Sequence, residues 1–283
     1  MLGLDPDPLA LWPQALEESG SSGAGPAERT ARAVARHCRL VIDAAGPACV
    51  AIKPQLACFE RLGSSGWRAL EETVEHAREC GLLVLADGKR GDVPVTAAAY
   101  AQGLCGETPG PFGAVPGLGA DAFTVNPLLG RDALDPFADA AAAAGAGLFC
   151  LVRTSNPGAA DVQDLETPQG PVHEQLARMV DGLSGRLAGS GELSGAGAVT
   201  GATRPDLLRR LRELMPRAPL LLPGVGAQGG SVEALEGARG AHPAACLVAA
   251  SRSIAGAHGG RGNAPSRLVE TCVMRSARVR VAP

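Results

Sequence analysis

Residues 82–93 read LLVLADGKRGDV, an apolar run that passes directly into charged residues. The run has the length and composition of a buried strand, and a helical stretch follows it at 95–104. Side chains alternate along an extended chain, so Asp87 and Lys89 are expected on one face of the strand, at its carboxyl end. Asp92 lies beyond the strand, where it faces either the same site or a site across a subunit boundary.

The same alternation of a short apolar run and a longer helical stretch recurs along the chain. Strands are predicted at 2–4, 49–52, 82–86, 122–125, 148–152, 198–200, 220–222 and 247–249. Helices are predicted at 27–45, 67–80, 95–104, 132–144, 172–187, 205–214, 232–237 and 266–277. Repeated strand–helix units indicate a parallel sheet, and their number favours a closed (β/α)8 TIM barrel over a flavodoxin-like or Rossmann sheet. Because no linker interrupts the pattern, residues 1–283 are predicted to form a single barrel domain.

Composition narrows the classes of protein to which the chain can belong. Its 46% hydrophobic and 19% charged residues are typical of a soluble globular protein. A net charge of -3 excludes a general attraction to nucleic acid, so an anionic ligand needs a local cluster of donors. The longest nearly apolar run, 140–152, is shorter than the roughly 20 residues that span a membrane. The 8 cysteines show no C-x-x-C spacing, and we expect reduced thiols in a cytoplasmic protein.

Polar residues follow most of the predicted strands. The catalytic groups of a barrel lie at the carboxyl ends of its strands, so these positions are the first candidates for a site. Any one of them, taken alone, is more often an ordinary solvated residue. The candidates are Asp5, Lys53, Asp87, Lys89, Asp92, Asn126, Ser155, Gln228 and Arg252.

A glycine-rich stretch, LLLPGVGAQGG at 220–230, contains the pattern G-x-G-x-x-G. A dinucleotide site is rejected, because the pattern follows the seventh predicted strand and no acidic residue lies about 20 positions later. A glycine-rich loop after strand seven, with Arg252 after strand eight, instead matches the phosphate site of many barrels. Backbone N–H groups would hold the phosphate there, with Arg252 as a bidentate partner.

Other catalytic motifs are absent from the sequence. There is no G-x-x-x-x-G-K-[ST], H-E-x-x-H or G-x-S-x-G, and the 5 histidines lie mainly on predicted helices or loops. Neither a metal site nor a histidine-based triad is therefore expected.

Seven blocks of the sequence together resemble, in order, the orotidine 5'-phosphate decarboxylase family in its longer bacterial type. They are LGLDP (2–6), AIKPQLACFE (51–60), LADGKRGDV (85–93), TVNPLLG (124–130), RTSNPGAAD (153–161), VTGATRP (199–205) and LLPGVGAQGG (221–230). The resemblance implies a homodimer that converts orotidine 5'-phosphate to UMP in pyrimidine biosynthesis without a cofactor.

The resemblance also assigns a charge array to the strand ends. Lys53, Asp87, Lys89 and Asp92 would form this array, with Asp92 and Thr96 supplied by the partner subunit. Lys89 would stabilise the carbanion left at C6 of the pyrimidine and deliver a proton to it.

Contacts to the substrate follow from the same resemblance. Asp5 and Lys53 would bind the ribose hydroxyls, and Ser155 the pyrimidine, whereas Asn126 has no clear role. The phosphate would be held by Gln228, Arg252 and the backbone amides near Gly226 and Ser251.

Two rival functions remain open on the sequence alone. A Mg²⁺-dependent decarboxylase of keto-sugar phosphates could carry the same D-x-K-x-x-D loop, and a non-catalytic barrel could bind the nucleotide without turning it over. A Schiff-base aldolase that uses Lys89 is less favoured, because flanking carboxylates keep a lysine protonated.

Overall fold

The computed structural model describes residues 1–17, 24–201, 204–223, 236–240 and 242–256. Its strands are β1 (Leu2–Leu4), β2 (Ala51–Pro54), β3 (Leu83–Arg90), β4 (Glu107–Thr108), β5 (Val115–Pro116), β6 (Ala122–Val125), β7 (Gly147–Arg153), β8 (Ala196–Thr200), β9 (Leu220–Pro223) and β10 (Cys246–Ala249). Its longer helices are α2 (Pro26–Ala45), α4 (Gly63–Glu79), α5 (Pro94–Leu104), α6 (Arg131–Ala144), α8 (Val172–Leu183) and α9 (Pro205–Leu214). Its shorter helices are α1 (Pro13–Glu17), α3 (Leu56–Glu60), α7 (Ala160–Gln163), α10 (Glu236–Arg239) and α11 (Arg252–Ala255).

The main sheet has 8 strands in the order β1-β2-β3-β6-β7-β8-β9-β10. Its strand pairs are parallel, with Leu2 opposite Ile52 and Leu148 opposite Ala196. Past the end of β10, Ala250 forms a parallel bridge to Leu2, and its carbonyl oxygen accepts a hydrogen bond of 2.7 Å from the N–H of Gly3. This strand order, with helices between the strands, confirms the predicted (β/α)8 barrel class.

The sequence did not predict the short helices α1, α3, α7 and α11. It also did not predict the antiparallel pair β4–β5, in which Glu107 lies opposite Pro116. Both strands are two residues long and exposed, so they carry no alternating apolar signal. The predicted helix 266–277 and most of the predicted helix 232–237 lie outside the described residues.

The described residues fall into two compact units. Unit 1 comprises Met1–Gly88 together with the segment that begins at Ala250, and unit 2 comprises Lys89–Ala249. In unit 1, α2 and α4 pack together. The face of α2 that carries Val34 and Ile42 is buried, as is the face of α4 that carries Leu70 and Val74. Such helices are stabilised by their apolar faces more than by intrinsic propensity.

Unit 2 contains one charged side chain that holds several backbone segments together. The buried guanidinium of Arg212 on α9 donates hydrogen bonds to the carbonyl oxygens of Met215, Ala218, Ala238 and Ala245 at 2.7 to 3.0 Å. Burial lowers the pKa of Arg212. These bonds supply hydrogen-bond donors to backbone carbonyls on both sides of β9 and next to β10.

Among the described residues, no helix has the length and apolar character that a membrane span requires.

Candidate functional site

The Lys53–Asp87 pair is the best-defined polar feature of unit 1. Lys53 on β2 and Asp87 on β3 are 8% and 4% exposed, and the lysine Nζ lies 2.5 Å from Oδ2 of the aspartate. Two charges buried this deeply are tolerated only as a hydrogen-bonded pair, because either charge alone would cost several kcal/mol to desolvate, on the order of 3–5 kcal/mol. The structure thus brings together two of the residues predicted for the charge array.

Gln55 is a member of this cluster that sequence reasoning missed. Its side-chain Nε2 lies 3.3 Å from the same Oδ2 of Asp87, and its backbone N–H donates to the carbonyl of Leu4 at 2.9 Å. Gln55 follows Lys53 by two residues, so period-two alternation along an extended segment was the signal that could have identified it.

Asp5 lies directly after β1 and is exposed. Arg61 holds the adjoining backbone, because its Nη2 donates to the carbonyl of Pro6 at 2.6 Å and its Nε to that of Cys58 at 3.3 Å. Burial raises the pKa of the Cys58 thiol, and the negative charge of Asp5 adds to the rise. Asp5 is therefore an accessible carboxylate on a segment that Arg61 tethers.

Lys89 has an unusual backbone conformation at the end of β3. Its φ is 48°, the one positive φ recorded for a described residue other than glycine. The conformation is held by a hydrogen bond of 2.9 Å from its N–H to Oγ1 of the buried Thr124. A side chain in this region costs roughly 1–2 kcal/mol, and such strain is found most often at functional sites. Strict alternation, on which the sequence argument for Lys89 depended, does not hold at this residue.

The segment after Lys89 is fixed against the end of β6. The carbonyl of Arg90 accepts a hydrogen bond of 2.7 Å from the N–H of Asn126, and a Cβ on Gly91 would lie 2.7 Å from the Asn126 carbonyl oxygen. Only glycine fits such a close approach without a shift of the backbone. Asn126 itself caps the following turn, since its Oδ1 accepts from the N–H of Leu128 at 3.1 Å. Asn126 thus has a structural role, for which the sequence analysis had no interpretation.

Asp92 and Thr96 begin the connection into α5. Asp92 is half-buried and its Oδ1 accepts a hydrogen bond from the N–H of Val93 at 2.8 Å. Thr96 is exposed on the first turn of α5. The described contacts therefore leave the predicted role of both residues untested.

Ser155 sits on a short loop after β7 that an ion-pair network holds in place. Arg153 makes a bidentate contact with Asp164, at 2.8 and 2.9 Å, and donates to the carbonyl of Thr154 at 2.6 Å. His173 Nδ1 lies 3.2 Å from Oδ1 of Asp164. Hydrogen bonding from Arg153 holds the pKa of Asp164 below its ordinary value. Arg153 and Asp164 thus fix the loop that carries Ser155.

The residues predicted for phosphate binding are only partly described. Ser251 is half-buried and Arg252 is exposed at the start of α11, after β10. A Cβ on Gly3 would lie 2.6 Å from the Cβ of Ser251, so β1 and this segment are in close contact. Gly226 and Gln228 lie outside the described residues.

Comparison with known proteins adds independent information on this chain. The model of the "Orotidine 5'-phosphate decarboxylase / HUMPS family" matches residues 2–265. An orotidine 5'-phosphate decarboxylase of Rhodopirellula baltica is 40% identical over 260 residues, which cover 91% of this chain and 83% of that protein. One of Deinococcus radiodurans is 46% identical over 220 residues, 77% of this chain and 76% of the relative. The solved structure of Leishmania donovani OMP decarboxylase superposes with a TM-score of 0.72 at 28% identity, covering 100% of this chain and 93% of that one.

Proposed function

This chain belongs to the orotidine 5'-phosphate decarboxylase family, and from that premise we propose how its residues carry out the reaction. The enzyme converts orotidine 5'-phosphate to UMP and CO2, a step of pyrimidine biosynthesis. The observation that carries the proposed mechanism is the buried ion pair between Lys53 and Asp87, which lie on two adjacent strands. Two residues after Asp87 comes Lys89, whose backbone conformation is strained.

The proposed chemical step breaks the bond between C6 of the pyrimidine and the carboxylate carbon. The electron pair stays on C6, where no adjacent carbonyl delocalises it, so the barrier falls only if positive charge is already in place. The Lys89 ammonium supplies that charge and then transfers its proton to C6, and the lysine regains a proton from solvent. CO2 leaves as the carboxylate carbon loses its bond to the ring.

Asp87 and Lys53 prepare this step in the proposed mechanism. The ion pair to Lys53 and the hydrogen bond from Gln55 fix the orientation of the Asp87 carboxylate. The fixed negative charge would face the Lys89 ammonium and would repel the substrate carboxylate until CO2 departs. We treat the electrostatic stabilisation of the carbanion as the larger of these effects.

The remaining substrate contacts are carried over from the family resemblance. Asp5 and Lys53 bind the ribose hydroxyls, and Ser155 binds the pyrimidine from the loop that Arg153 and Asp164 hold. The 5'-phosphate is bound by Gln228, Arg252 and the backbone amides near Gly226 and Ser251. An anchored phosphate would let binding energy from a remote part of the substrate contribute to the chemical step.

We further propose that the active unit is a homodimer in which Asp92 and Thr96 complete the partner's site. Several apolar side chains near these residues or later in unit 2 are exposed, among them Val93, Val95 and Phe112. Val95 is 86% exposed on the first turn of α5, next to Thr96. Such a concentration of exposed apolar residues is typical of a surface that another protein covers.

Residues 1–283 are proposed to act as one decarboxylase domain. The support is that the family match at 2–265 extends through both units, and that unit 1 combines Met1–Gly88 with the segment that begins at Ala250. A cytoplasmic location is proposed from the thiols. No disulfide bond joins the described cysteines, as expected in a reducing compartment. Burial raises the pKa of Cys38 and Cys150 to about 12, so these two thiols stay protonated at neutral pH.

The test is the loss of orotidine 5'-phosphate absorbance with purified protein, with and without a chelator. Turnover that persists in the chelator supports a reaction that needs no metal ion. Turnover of a keto-sugar phosphate that depends on Mg²⁺ would contradict the mechanism, and binding of UMP without release of CO2 would contradict the activity itself.

A further inference from the structure

Three side chains of unit 1 that have no part in the proposed reaction converge where α2 and α4 pack together. His76 lies in the last turn of α4, Cys80 follows the end of this helix, and Asp43 approaches from α2. Oδ1 of Asp43 lies 2.6 Å from Nε2 of His76, and Sγ of Cys80 lies 3.7 Å from the same nitrogen. The three potential ligand atoms all lie within 4.8 Å of one another.

These distances are close to those around a tetrahedral zinc ion. Zn–N and Zn–S bonds of about 2.0 and 2.3 Å place the nitrogen and sulfur ligands roughly 3.5 Å apart, and two bonds of about 2.0 Å place nitrogen and oxygen roughly 3.3 Å apart. The separation of 3.7 Å between His76 and Cys80 already fits the first value. The carboxylate of Asp43, whose side chain is 50% exposed, needs to move away from Nε2 of His76 by less than an ångström to reach the separation of roughly 3.3 Å between nitrogen and oxygen ligands.

A second carboxylate orients the imidazole from its other side. Oε2 of Glu79 lies 3.4 Å from Nδ1 of His76, and Arg39 lies 3.8 Å from the same carboxylate oxygen. Histidines that bind a metal through one nitrogen commonly donate the other N–H to a carboxylate, which fixes the ring and its tautomer. The side chain of His76 is only 12% exposed, so the ring is also held by packing.

We propose that Asp43, His76 and Cys80 bind one Zn²⁺, with Glu79 as the partner of the imidazole and water in the fourth position. A thiolate and an imidazole favour zinc over Mg²⁺ or Ca²⁺, which prefer oxygen ligands. The ion would tie α2 to the end of α4 and have a structural role, separate from decarboxylation. The sequence analysis expected no metal, because it found no metal-binding motif; the three proposed ligands come from two helices and form none. The competing explanation is that Asp43 and Cys80 are simply hydrogen-bond partners of the same His76 nitrogen.

The test uses metal-free protein without an affinity tag, titrated with Co²⁺ and then with Zn²⁺ against a chromophoric chelator. The proposal predicts one ion per chain, a thiolate-to-cobalt charge-transfer band, and displacement of Co²⁺ by Zn²⁺. Cys80→Ser should abolish the band, whereas the matched control Cys49→Ser, at another partly exposed thiol of unit 1, should keep it. Glu79→Gln should weaken zinc binding by about tenfold while retaining the band, as loss of an orienting partner does.

Thermal unfolding provides a second measurement that does not depend on the absorbance of the cobalt complex. Zinc should raise the Tm of the parent protein and of Cys49→Ser, with an increase that grows with the logarithm of the free zinc concentration, and should leave the Tm of Cys80→Ser unchanged. Equal binding by Cys80→Ser and the parent, or retention of the charge-transfer band in Cys80→Ser, would overturn the proposal. Both Cys variants should decarboxylate orotidine 5'-phosphate at the parent rate, so a failure here is distinguishable from a failure of the proposed catalytic residues.

Discussion

Lys53 and Asp87, which are 34 residues apart in the sequence, form a buried ion pair with 2.5 Å between Nζ and Oδ2. Parallel strands place them together, because β2 and β3 are neighbours in register, with Ile52 opposite Val84. In an interior of low dielectric constant either charge alone would be costly to bury, so each residue of the pair stabilises the other.

Breaking this pair from one side should destabilise the protein strongly. Lys53→Met removes the cation that pairs with the buried Asp87 carboxylate, and we expect the free energy of unfolding to fall by about 3–5 kcal/mol. Urea denaturation of the parent, Lys53→Met, Asp87→Leu and the double variant provides a double-mutant cycle. The double variant should recover part of the loss, and strictly additive losses would show that the pair is not coupled.

Lys89→Ala should abolish turnover while UMP still binds, because the proposed proton donor is lost and the ribose and phosphate contacts remain. Lys89→Gly should be equally inactive yet more stable than Lys89→Ala by about 1 kcal/mol, because glycine adopts a φ of 48° without strain. Calorimetric titration with UMP and urea denaturation measure the two effects. Near-normal activity of either variant would refute the proposed role of Lys89.

Shared sites should be detectable by subunit complementation. In a mixed dimer of Asp92→Ala and Lys89→Ala chains, one site would combine the intact Lys89 of one chain with the intact Asp92 of the other. After the two inactive variants are unfolded and refolded together, activity should return to about a quarter of the parent value, since half of the dimers are mixed and each has one complete site. Each variant refolded alone is the control, and a mixture that stays inactive would place each site within one chain.

Asp164→Asn should loosen the loop that carries Ser155, because the bidentate contact with Arg153 is lost. The KM for orotidine 5'-phosphate should rise more than kcat falls. The pKa of Asp164 is lowered in the folded state, so its stabilising effect is complete above the ordinary value of about 4 and is lost as the pH falls through the lower folded value. Stability of the parent should therefore decline more steeply than that of the variant below about pH 4, and parallel acid limbs would contradict this prediction.

The alternation of apolar runs and helical stretches was sufficient to predict the barrel class and all eight strands of the main sheet. Local rules are adequate here, because a buried strand and an amphipathic helix each have a short periodic pattern. The pair β4–β5 was missed, since its exposed two-residue strands have no such pattern.

The candidate site likewise combines features that the sequence predicts with features that only the tertiary structure shows. The charged residues at the strand ends and the seven collinear blocks, all visible in the sequence, predicted the family, which the comparisons confirm. The ion pair of Lys53 with Asp87, the contribution of Gln55, the left-handed conformation of Lys89 and the Asp43–His76–Cys80 cluster were decided only by the tertiary structure. These features depend on which strands and helices are neighbours in space, and a single sequence records spacing along the chain but not the distance between side chains that are far apart in it.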